Sequence, residues 1–263
     1  MLDGTLADKV AVVTGGSRGI GRATSLALAR QGAALVVNYH DQADAELDQS
    51  TAASEVVAAI VESGGKAVAH QADISDEQAA RGLIDRAVDE FGRIDILVNN
   101  AGICPSQDFL EMPVSLFDRV HAVNLRGAFI SSQQAARHMV RQGHGGRIIT
   151  VSSISALVGG SYQAAYCPTK SGLHSMMQSL AILLGPHGIT CNSVGPGEVD
   201  TDMNRILPDY DEIAAQLANR IPVGRVAQPE DIADPIVFLA SDGARYVNGA
   251  FLLIDGGMFV NLQ

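Results

Sequence analysis

Two tyrosines and a lysine stand at four-residue spacing in the stretch SYQAAYCPTK, at Tyr162, Tyr166 and Lys170. Residues four apart are neighbours on a helix, so a helix here would align all three on nearly one face. A lysine cation beside a phenol favours the phenolate, which can act as a base. Tyr166 lies one turn from Lys170, whereas Tyr162 lies two turns away, too far for direct contact. The spacing therefore predicts that Tyr166 is the base.

A base of this kind suits the oxidation of an alcohol by hydride transfer, because the hydroxyl proton must be removed. Free tyrosine has a pKa of about 10 and is a poor base near neutral pH. We expect Lys170, together with the positive charge of an oxidised nicotinamide, to lower the pKa of Tyr166 by about 3 units. Lys170 is the one lysine that follows Lys66 in the sequence, which favours a functional role.

Short apolar runs alternate with helix-length stretches along the whole chain. The runs predict strands near residues 10–14, 34–39, 66–72, 94–100, 147–153, 189–194 and 251–255, and the stretches between them predict helices near 19–31, 50–63, 76–91, 114–141, 162–185, 204–219 and 229–241. Nearly continuous apolar strands are typical of a parallel sheet that is buried on both faces. The predicted fold class is α/β: one Rossmann-type domain over residues 1–263, with a doubly wound seven-stranded parallel sheet flanked by helices.

A glycine-rich loop, TGGSRGIG at residues 14–21, follows the first predicted strand and opens the first helix. Gly15, Gly19 and Gly21 would allow a tight turn, a close approach of the backbone to a pyrophosphate, and close packing of the helix on the strand. The pyrophosphate would bind the free N–H groups at the helix N-terminus. The loop predicts dinucleotide binding.

The end of the second strand bears on which dinucleotide binds. NAD-binding proteins often carry an acid there that binds the ribose 2′-hydroxyl. This strand ends in Asn38, Tyr39 and His40, and the first carboxylate is Asp41. Arg18, inside the glycine loop, could hold a 2′-phosphate through two hydrogen bonds, and His40 could assist. We expect NADP to be preferred and NAD to remain possible.

Four motifs, in this order, resemble the short-chain dehydrogenase/reductase family: the 14–21 loop, NNAG at 99–102, Tyr166-x-x-x-Lys170, and PGEVDT at 196–201. The resemblance covers nearly the whole chain and implies an NAD(P)-dependent enzyme that acts on CH–OH groups. The family has a catalytic serine thirteen residues before the tyrosine, which selects Ser153 as the hydrogen-bond donor to the substrate oxygen. Asn124 resembles the family asparagine that positions a proton-relay water beside the lysine.

The resemblance also implies cofactor contacts. Asp73 resembles the residue that meets the adenine, the segment 100–102 resembles the support of the adenine ribose, and residues 196–201 resemble the elements near the nicotinamide carboxamide. The predicted cofactor-binding residues are Gly15, Ser17, Arg18, Gly19, Ile20, Gly21, Tyr39, His40, Asp73, Ile74, Asn100, Ala101, Gly102, Tyr166, Lys170, Pro196, Gly197, Val199 and Thr201.

The substrate is predicted from a lid and a set of polar side chains. The resemblance implies a lid at about residues 202–222, and the predicted substrate-binding residues are Ser153, Ser155, Gln163, Tyr166 and Glu198. Within the family, VVNYH at 36–40 and the ending YVNGAFLLIDGGMFVNLQ are similar to aldose 1-dehydrogenases, including those that act on glucose or L-rhamnose. This implies oxidation of a sugar at C1 to its lactone. The alternatives are a 3-oxoacyl-[acyl-carrier-protein] reductase or other carbonyl reductase and, as a minor possibility, a non-catalytic dinucleotide-binding sensor.

Composition excludes several other classes of protein. The net charge of −11 argues against a nucleic-acid partner. Three scattered cysteines without a CxxC pair indicate neither a disulfide framework nor a zinc site, and no metal is expected. The chain has no run apolar enough to span a membrane and no signal-peptide pattern, so we predict a cytoplasmic protein. The family implies a homotetramer that buries the apolar tail from Ala250 between subunits.

Overall fold

A seven-stranded parallel sheet forms the centre of the computed structural model, which describes residues 5–45, 49–205 and 209–261. The strands are β1 Val10–Val13, β2 Ala34–Tyr39, β3 Ala67–Gln71, β4 Ile96–Asn99, β5 Gly146–Val151, β6 Ile189–Pro196 and β7 Phe251–Ile254. Every neighbouring pair is parallel, in the order β3-β2-β1-β4-β5-β6-β7. The chain adds β2 and β3 on one side of β1 and then β4 to β7 on the other side, so the direction of winding reverses at β1. This order confirms the predicted doubly wound Rossmann fold.

Helices connect the strands. They are α1 Gly19–Arg30, α2 Asp41–Ala45, α3 Ala52–Glu62, α4 Glu77–Phe91, α5 Val114–His121, α6 Gly127–Gln142, α7 Tyr166–Leu184, α8 Asp202–Arg205, α9 Tyr210–Arg220 and α10 Pro229–Ala240. A π-helical turn, Ala122–Arg126, joins α5 to α6. None of the helices in the three described ranges has the length and apolar character that crossing a bilayer requires.

Two hydrophobic clusters cover the two faces of the sheet because successive strand residues point to opposite sides. In β1, Ala11 and Val13 pack with residues of α1, α3 and α10. Val10 and Val12 pack with residues of α4, α6 and α7 on the other face. The result is three layers, helix on sheet on helix, in which the apolar strand runs are buried on both sides.

The structure corrects three of the predicted helices. The helix expected over 114–141 is divided by the π-helical turn that contains Asn124. The helix expected over 162–185 begins at Tyr166, and Tyr162 precedes it with a left-handed φ of 60°. The alignment of Tyr162 with Tyr166 and Lys170 on one helix face is therefore wrong. In place of the helix expected over 204–219, the described residues form α8 and α9, and α9 begins after Asp209, which has a left-handed φ of 60°; residues 206–208 lie outside the described residues.

Candidate active site

The loops after β1, β3, β4, β5 and β6 carry most of the predicted site residues. Since all strands of the sheet are parallel, the loops that follow them lie at one edge, where sheets of this kind bind ligands. The predicted residues Ser17, Ile20, Tyr39, Ile74 and Gly102 all lie in or beside these loops. The topology thus brings residues far apart in the sequence to one edge of the sheet.

The glycine loop has the close packing that a dinucleotide cradle needs. Gly15 has a φ of +60°, and a side-chain carbon built there would lie 3.0 Å from the Cα of Ala101. A carbon built at Gly21 would overlap the carbonyl oxygen of Gly15. The Gly15 N–H donates to Asn38 Oδ1 at 3.0 Å. Only glycine fits at Gly15 and Gly21, so the backbone there can approach a ligand closely.

Thr14 and Asn100 hold the glycine loop against the loop after β4. Thr14 Oγ1 accepts hydrogen bonds from the N–H groups of Asn100 at 2.9 Å and Ala101 at 3.0 Å. Asn100 Nδ2 donates to the carbonyl oxygens of Thr14 at 3.0 Å and Gly15 at 2.9 Å. The segment that resembles a cofactor support is thus hydrogen-bonded directly to the glycine loop.

An arginine–carboxylate ion pair and a histidine–carboxylate pair lie at the end of β2, where the adenosine half of a dinucleotide would bind. Arg18 Nε lies 2.9 Å from Asp44 Oδ1. His40 Nδ1 accepts from the Ala43 N–H at 3.3 Å, and His40 Nε2 lies 3.8 Å from Asp73 Oδ2. Arg18 was expected to be a free guanidinium, but it is ion-paired with a carboxylate that the sequence argument did not consider.

Asp73 accepts bonds through both carboxylate oxygens. Asp73 Oδ1 accepts from the Ser75 N–H at 2.8 Å and the Ser75 hydroxyl at 2.7 Å, and Arg119 donates to Asp73 Oδ2 at 3.2 Å. Burial acts to raise the pKa of Asp73, but the Ser75 bonds and the charge of Arg119 hold it below its ordinary value. Asp73 therefore stays ionised, a fixed acceptor at the edge of the site.

The segment after β6 approaches the glycine loop from the other side. A carbon built at Gly19 would lie 3.3 Å from Thr201 Cγ2. The Gly197 N–H donates to Ile254 O at 3.0 Å, and Val199 is buried. Pro196 ends β6. Thr201 thus packs against the glycine loop, while Pro196 and Gly197 lie beside β7.

Tyr166 and Lys170 are adjacent on the first turn of α7, as their spacing predicts. Lys170 Nζ lies 5.3 Å from the centroid of the Tyr166 ring and donates to Val151 O at 2.9 Å. Tyr166 also hydrogen-bonds Ser153, which follows β5. Phenol, hydroxyl and ammonium thus lie together beside the end of β5.

Comparison with known proteins identifies the class to which this arrangement belongs. A family model described as enoyl-(acyl carrier protein) reductase matches residues 15–259. A Sphingomonas sp. protein named L-rhamnose 1-dehydrogenase (NAD(P)(+)) is 51% identical, over 98% of this chain and 99% of its own. A Thermoplasma acidophilum protein named L-rhamnose 1-dehydrogenase (NADP(+)) is 44% identical, over 97% of this chain and 98% of its own. The crystal structure of a short-chain type dehydrogenase/reductase from Mycobacterium marinum superposes with a TM-score of 0.88 and 35% identity, over 98% of this chain and 97% of that one.

The chain belongs to the short-chain dehydrogenase/reductase family. This membership confirms the resemblance drawn from the four motifs.

In this short-chain dehydrogenase/reductase, burial has the largest effect on the ionisation of Tyr166. Burial, and after it the neighbouring Cys104, raise the pKa of Tyr166 above its ordinary value, and the Ser153 hydrogen bond offsets this only in part. Burial also lowers the pKa of Lys170 to about 8. Without a nicotinamide cation, burial thus outweighs the hydrogen bond that favours the phenolate; the lowered pKa that was expected with bound cofactor stays a prediction. The physical reason is that burial disfavours the charged form of both groups.

Asn124 lies on the π-helical turn, close to Lys170. Its Oδ1 accepts from the Ile103 N–H at 2.8 Å, and its Nδ2 donates to Ile103 O at 2.9 Å and Thr169 Oγ1 at 3.3 Å. A carbon built at Gly102 would lie 3.3 Å from Asn124 Oδ1 and 3.6 Å from Lys170 Nζ. Asn124 therefore ties the loop after β4 to α7 beside the lysine.

The predicted substrate-binding residues are linked to one another. The Ser155 N–H donates to Ser153 Oγ at 3.1 Å, and the Ser155 hydroxyl donates to Gln163 Oε1 at 3.0 Å. Glu198 is half-buried, and burial raises its pKa. Beside the larger effect of burial, the negative charge of Glu198 contributes to raising the pKa of Tyr166 and that of Tyr210 in α9. Hydroxyl, amide and carboxyl groups are thus found in the neighbourhood of Tyr166.

The motifs and spacings assigned no site role to four residues that contact or influence the predicted site: Thr14, Asn38, Asp44 and Cys104. Burial raises the pKa of Cys104 to about 11, and Cys104 in turn contributes to the pKa values of Tyr166 and Lys170. Thr14 and Asn38 are polar residues at the ends of apolar strands, which is the signal that could have found them. Asp44 has no comparable signal in the sequence.

Proposed function

We propose that the protein oxidises an aldose at C1 to its lactone with NAD(P) as the hydride acceptor, and that L-rhamnose is its sugar. The observation that carries this proposal is the 51% identity to the Sphingomonas L-rhamnose 1-dehydrogenase over almost the full length of both chains. The acceptors and donors around Tyr166, namely Ser155, Gln163 and Glu198, support a polyhydroxylated substrate.

Each catalytic residue has a chemical role in this proposal. Bound NAD(P)⁺ supplies the nicotinamide that accepts hydride from C1. Tyr166, as phenolate, takes the proton of the C1 hydroxyl, and Ser153 donates a hydrogen bond to the same oxygen. Because burial raises the pKa of Tyr166 in the protein alone, formation of the phenolate requires additional positive charge in the site. A nicotinamide cation has the sign that this requires.

Lys170 and Asn124 serve the return of the proton to solvent. The pKa of Lys170, about 8, lies close enough to neutral pH for the amine to exchange protons with a neighbouring group. Asn124 lies next to Lys170 across Gly102, which supports the role of holding a relay water there. The residues 202–222, of which 206–208 lie outside the described residues, would act as the substrate lid.

NADP is the preferred cofactor in this proposal, and NAD is also used. Arg18 supplies a cation near the expected position of the 2′-phosphate, and β2 does not end in a carboxylate. The remaining predicted cofactor residues, from the glycine loop to Thr201, would contact the dinucleotide along the carboxyl edge of the sheet.

We further propose a cytoplasmic homotetramer. Large apolar side chains are exposed on α5, α6 and α7: Phe117, Phe129, Ile182 and Leu183. A groove of about 590 Å³ between these helices is lined by Leu125, Phe129 and Met176, among others. Exposed apolar surface of this extent favours contact with a second copy of the chain. Light scattering should give the mass of a tetramer, and a monomer would contradict the proposal.

The proposed reaction is tested with purified protein, NADP or NAD, and two substrate panels. The first contains L-rhamnose, D-glucose and other aldoses, and the second contains 3-oxoacyl thioesters. We expect sugar-dependent NADPH formation with the highest kcat/KM for L-rhamnose. Activity on the oxoacyl panel alone would refute the sugar assignment. The Tyr166→Phe variant should bind cofactor but lose turnover, whereas a non-catalytic sensor would show no turnover in either protein.

A further inference from the structure

Asp44 is a buried carboxylate that contacts the glycine loop. It lies in α2, and its N–H donates to His40 O at 3.0 Å, so one helical turn folds its side chain back from the end of β2. Asp44 Oδ1 lies 2.9 Å from Arg18 Nε and accepts from the Ser17 hydroxyl at 3.4 Å. The Asp44 side chain is 3% exposed and that of Arg18 is 24% exposed.

We propose that Asp44 determines cofactor specificity by neutralising Arg18, which sets the ratio of NADP to NAD use. The inference rests on the proposed NAD(P) site and assigns to it a residue that the four motifs do not contain. A free guanidinium would attract a 2′-phosphate strongly, whereas a guanidinium paired with a buried anion attracts it less. NAD carries no 2′-phosphate, so its binding is insensitive to this charge.

The contacts of Asp44 fit this role better than a purely structural one. Its Oδ2 is buried and has no hydrogen-bond partner within the described residues. A buried carboxylate with an unsatisfied oxygen costs stability, and a buried ion pair seldom stabilises a fold more than a neutral pair of the same shape. In the same ranges of the chain, Asp44 is the one carboxylate within 4.0 Å of the Arg18 guanidinium. The net charge that this pair presents to a ligand therefore depends on Asp44.

Other charges near the end of β2 do not replace this pair. His40 and Arg119 both face Asp73, and Arg119 also donates to Ser75 Oγ at 2.7 Å. Both side chains thus contact a different carboxylate. Arg18 and Asp44 therefore form a separate pair, and a bound 2′-phosphate would interact with the net charge of that pair.

The test is Asp44→Asn, which keeps the shape and removes the charge. Calorimetry with 2′,5′-ADP and with 5′-AMP measures the affinity for a nucleotide with a 2′-phosphate and for one without it. Neither measurement requires turnover. We expect 2′,5′-ADP to bind about tenfold more tightly to the variant, and 5′-AMP to bind within about twofold of wild type. The ratio of kcat/KM for NADP to that for NAD should rise by the same factor. An unchanged or weaker affinity for 2′,5′-ADP would overturn the proposal.

A second background shows whether Asp44 acts through Arg18. In the Arg18→Met background, the further change Asp44→Asn should raise 2′,5′-ADP affinity by clearly less than it does in the wild-type background, because the arginine that it would release is absent. A gain of the same size in both backgrounds would contradict the proposal. Asp44→Ser should raise 2′,5′-ADP affinity in the same direction as Asp44→Asn, so an unchanged affinity in that variant would overturn the proposal even if Asp44→Asn failed to fold. Wild-type protein that binds neither nucleotide would instead refute the proposed function.

Discussion

Replacing Lys170 by methionine should stabilise the protein at neutral pH while it abolishes turnover. Lys170 is almost fully buried, and the one hydrogen bond described for its ammonium group goes to Val151 O at 2.9 Å. Burial lowers its pKa from 10.5 to about 8, so the folded protein holds this proton less tightly than the unfolded chain. The charged lysine is therefore a cost to folding that function requires.

The size of the effect follows from the two pKa values. At roughly 1.4 kcal/mol per pKa unit, the difference corresponds to about 3 kcal/mol of unfolding free energy lost at pH 7. Methionine removes this cost but also the bond to Val151 O, which is worth about 1 kcal/mol. We expect Lys170→Met to be about 2 kcal/mol more stable than wild type at pH 7. As the pH rises from 8 to 10.5, the unfolded chain releases its proton and wild type recovers the lost stability, so the difference should disappear or reverse.

Urea unfolding measures the difference in unfolding free energy between wild type and Lys170→Met. It is carried out at pH 7 and at pH 10.5, at one protein concentration and without cofactor. Taking the difference between the two proteins cancels the titration of other groups. Lys66→Met is the matched control, because Lys66 is exposed and its removal should shift stability little and equally at both pH values. The reasoning is refuted if Lys170→Met is no more stable than wild type at pH 7, or if the difference does not depend on pH.

Two further substitutions test local geometry. Tyr162 has a φ of 60°, which costs a non-glycine residue about 1–2 kcal/mol. Tyr162→Gly should therefore raise the unfolding free energy by about 0.5–1 kcal/mol despite the greater freedom of glycine in the unfolded chain, and Tyr162→Ala should not. Gly21→Ala would place a carbon against Gly15 O, so we expect at least about tenfold weaker binding of NADP by calorimetry; unchanged affinity would argue against the cradle.

The adjacency of Tyr166 and Lys170 was predictable from sequence because helix geometry fixes the relation of residues four apart. Predicting that Tyr166 and Lys170 are neighbours required only that the segment be correctly assigned as a helix. Tyr162 shows the limit of the same argument. The pattern could not reveal that the helix begins at Tyr166, since its start depends on how the preceding loop packs. The edge of the sheet at which a cofactor is expected to bind was predictable from the alternation of strands and helices. This alternation predicts a parallel sheet, and parallel sheets bind ligands at the carboxyl ends of their strands.

The sequence by itself determined the fold class, the seven strands, the glycine loop and the tyrosine–lysine pair, because these depend on local periodicity and short spacings. Only the tertiary structure decided the electrostatics of the site. Asp44 meets Arg18 through the turn of α2, and burial raises the pKa of Tyr166 while it lowers that of Lys170. Burial and charge pairing are properties of the packed chain, so residues distant in sequence set them together.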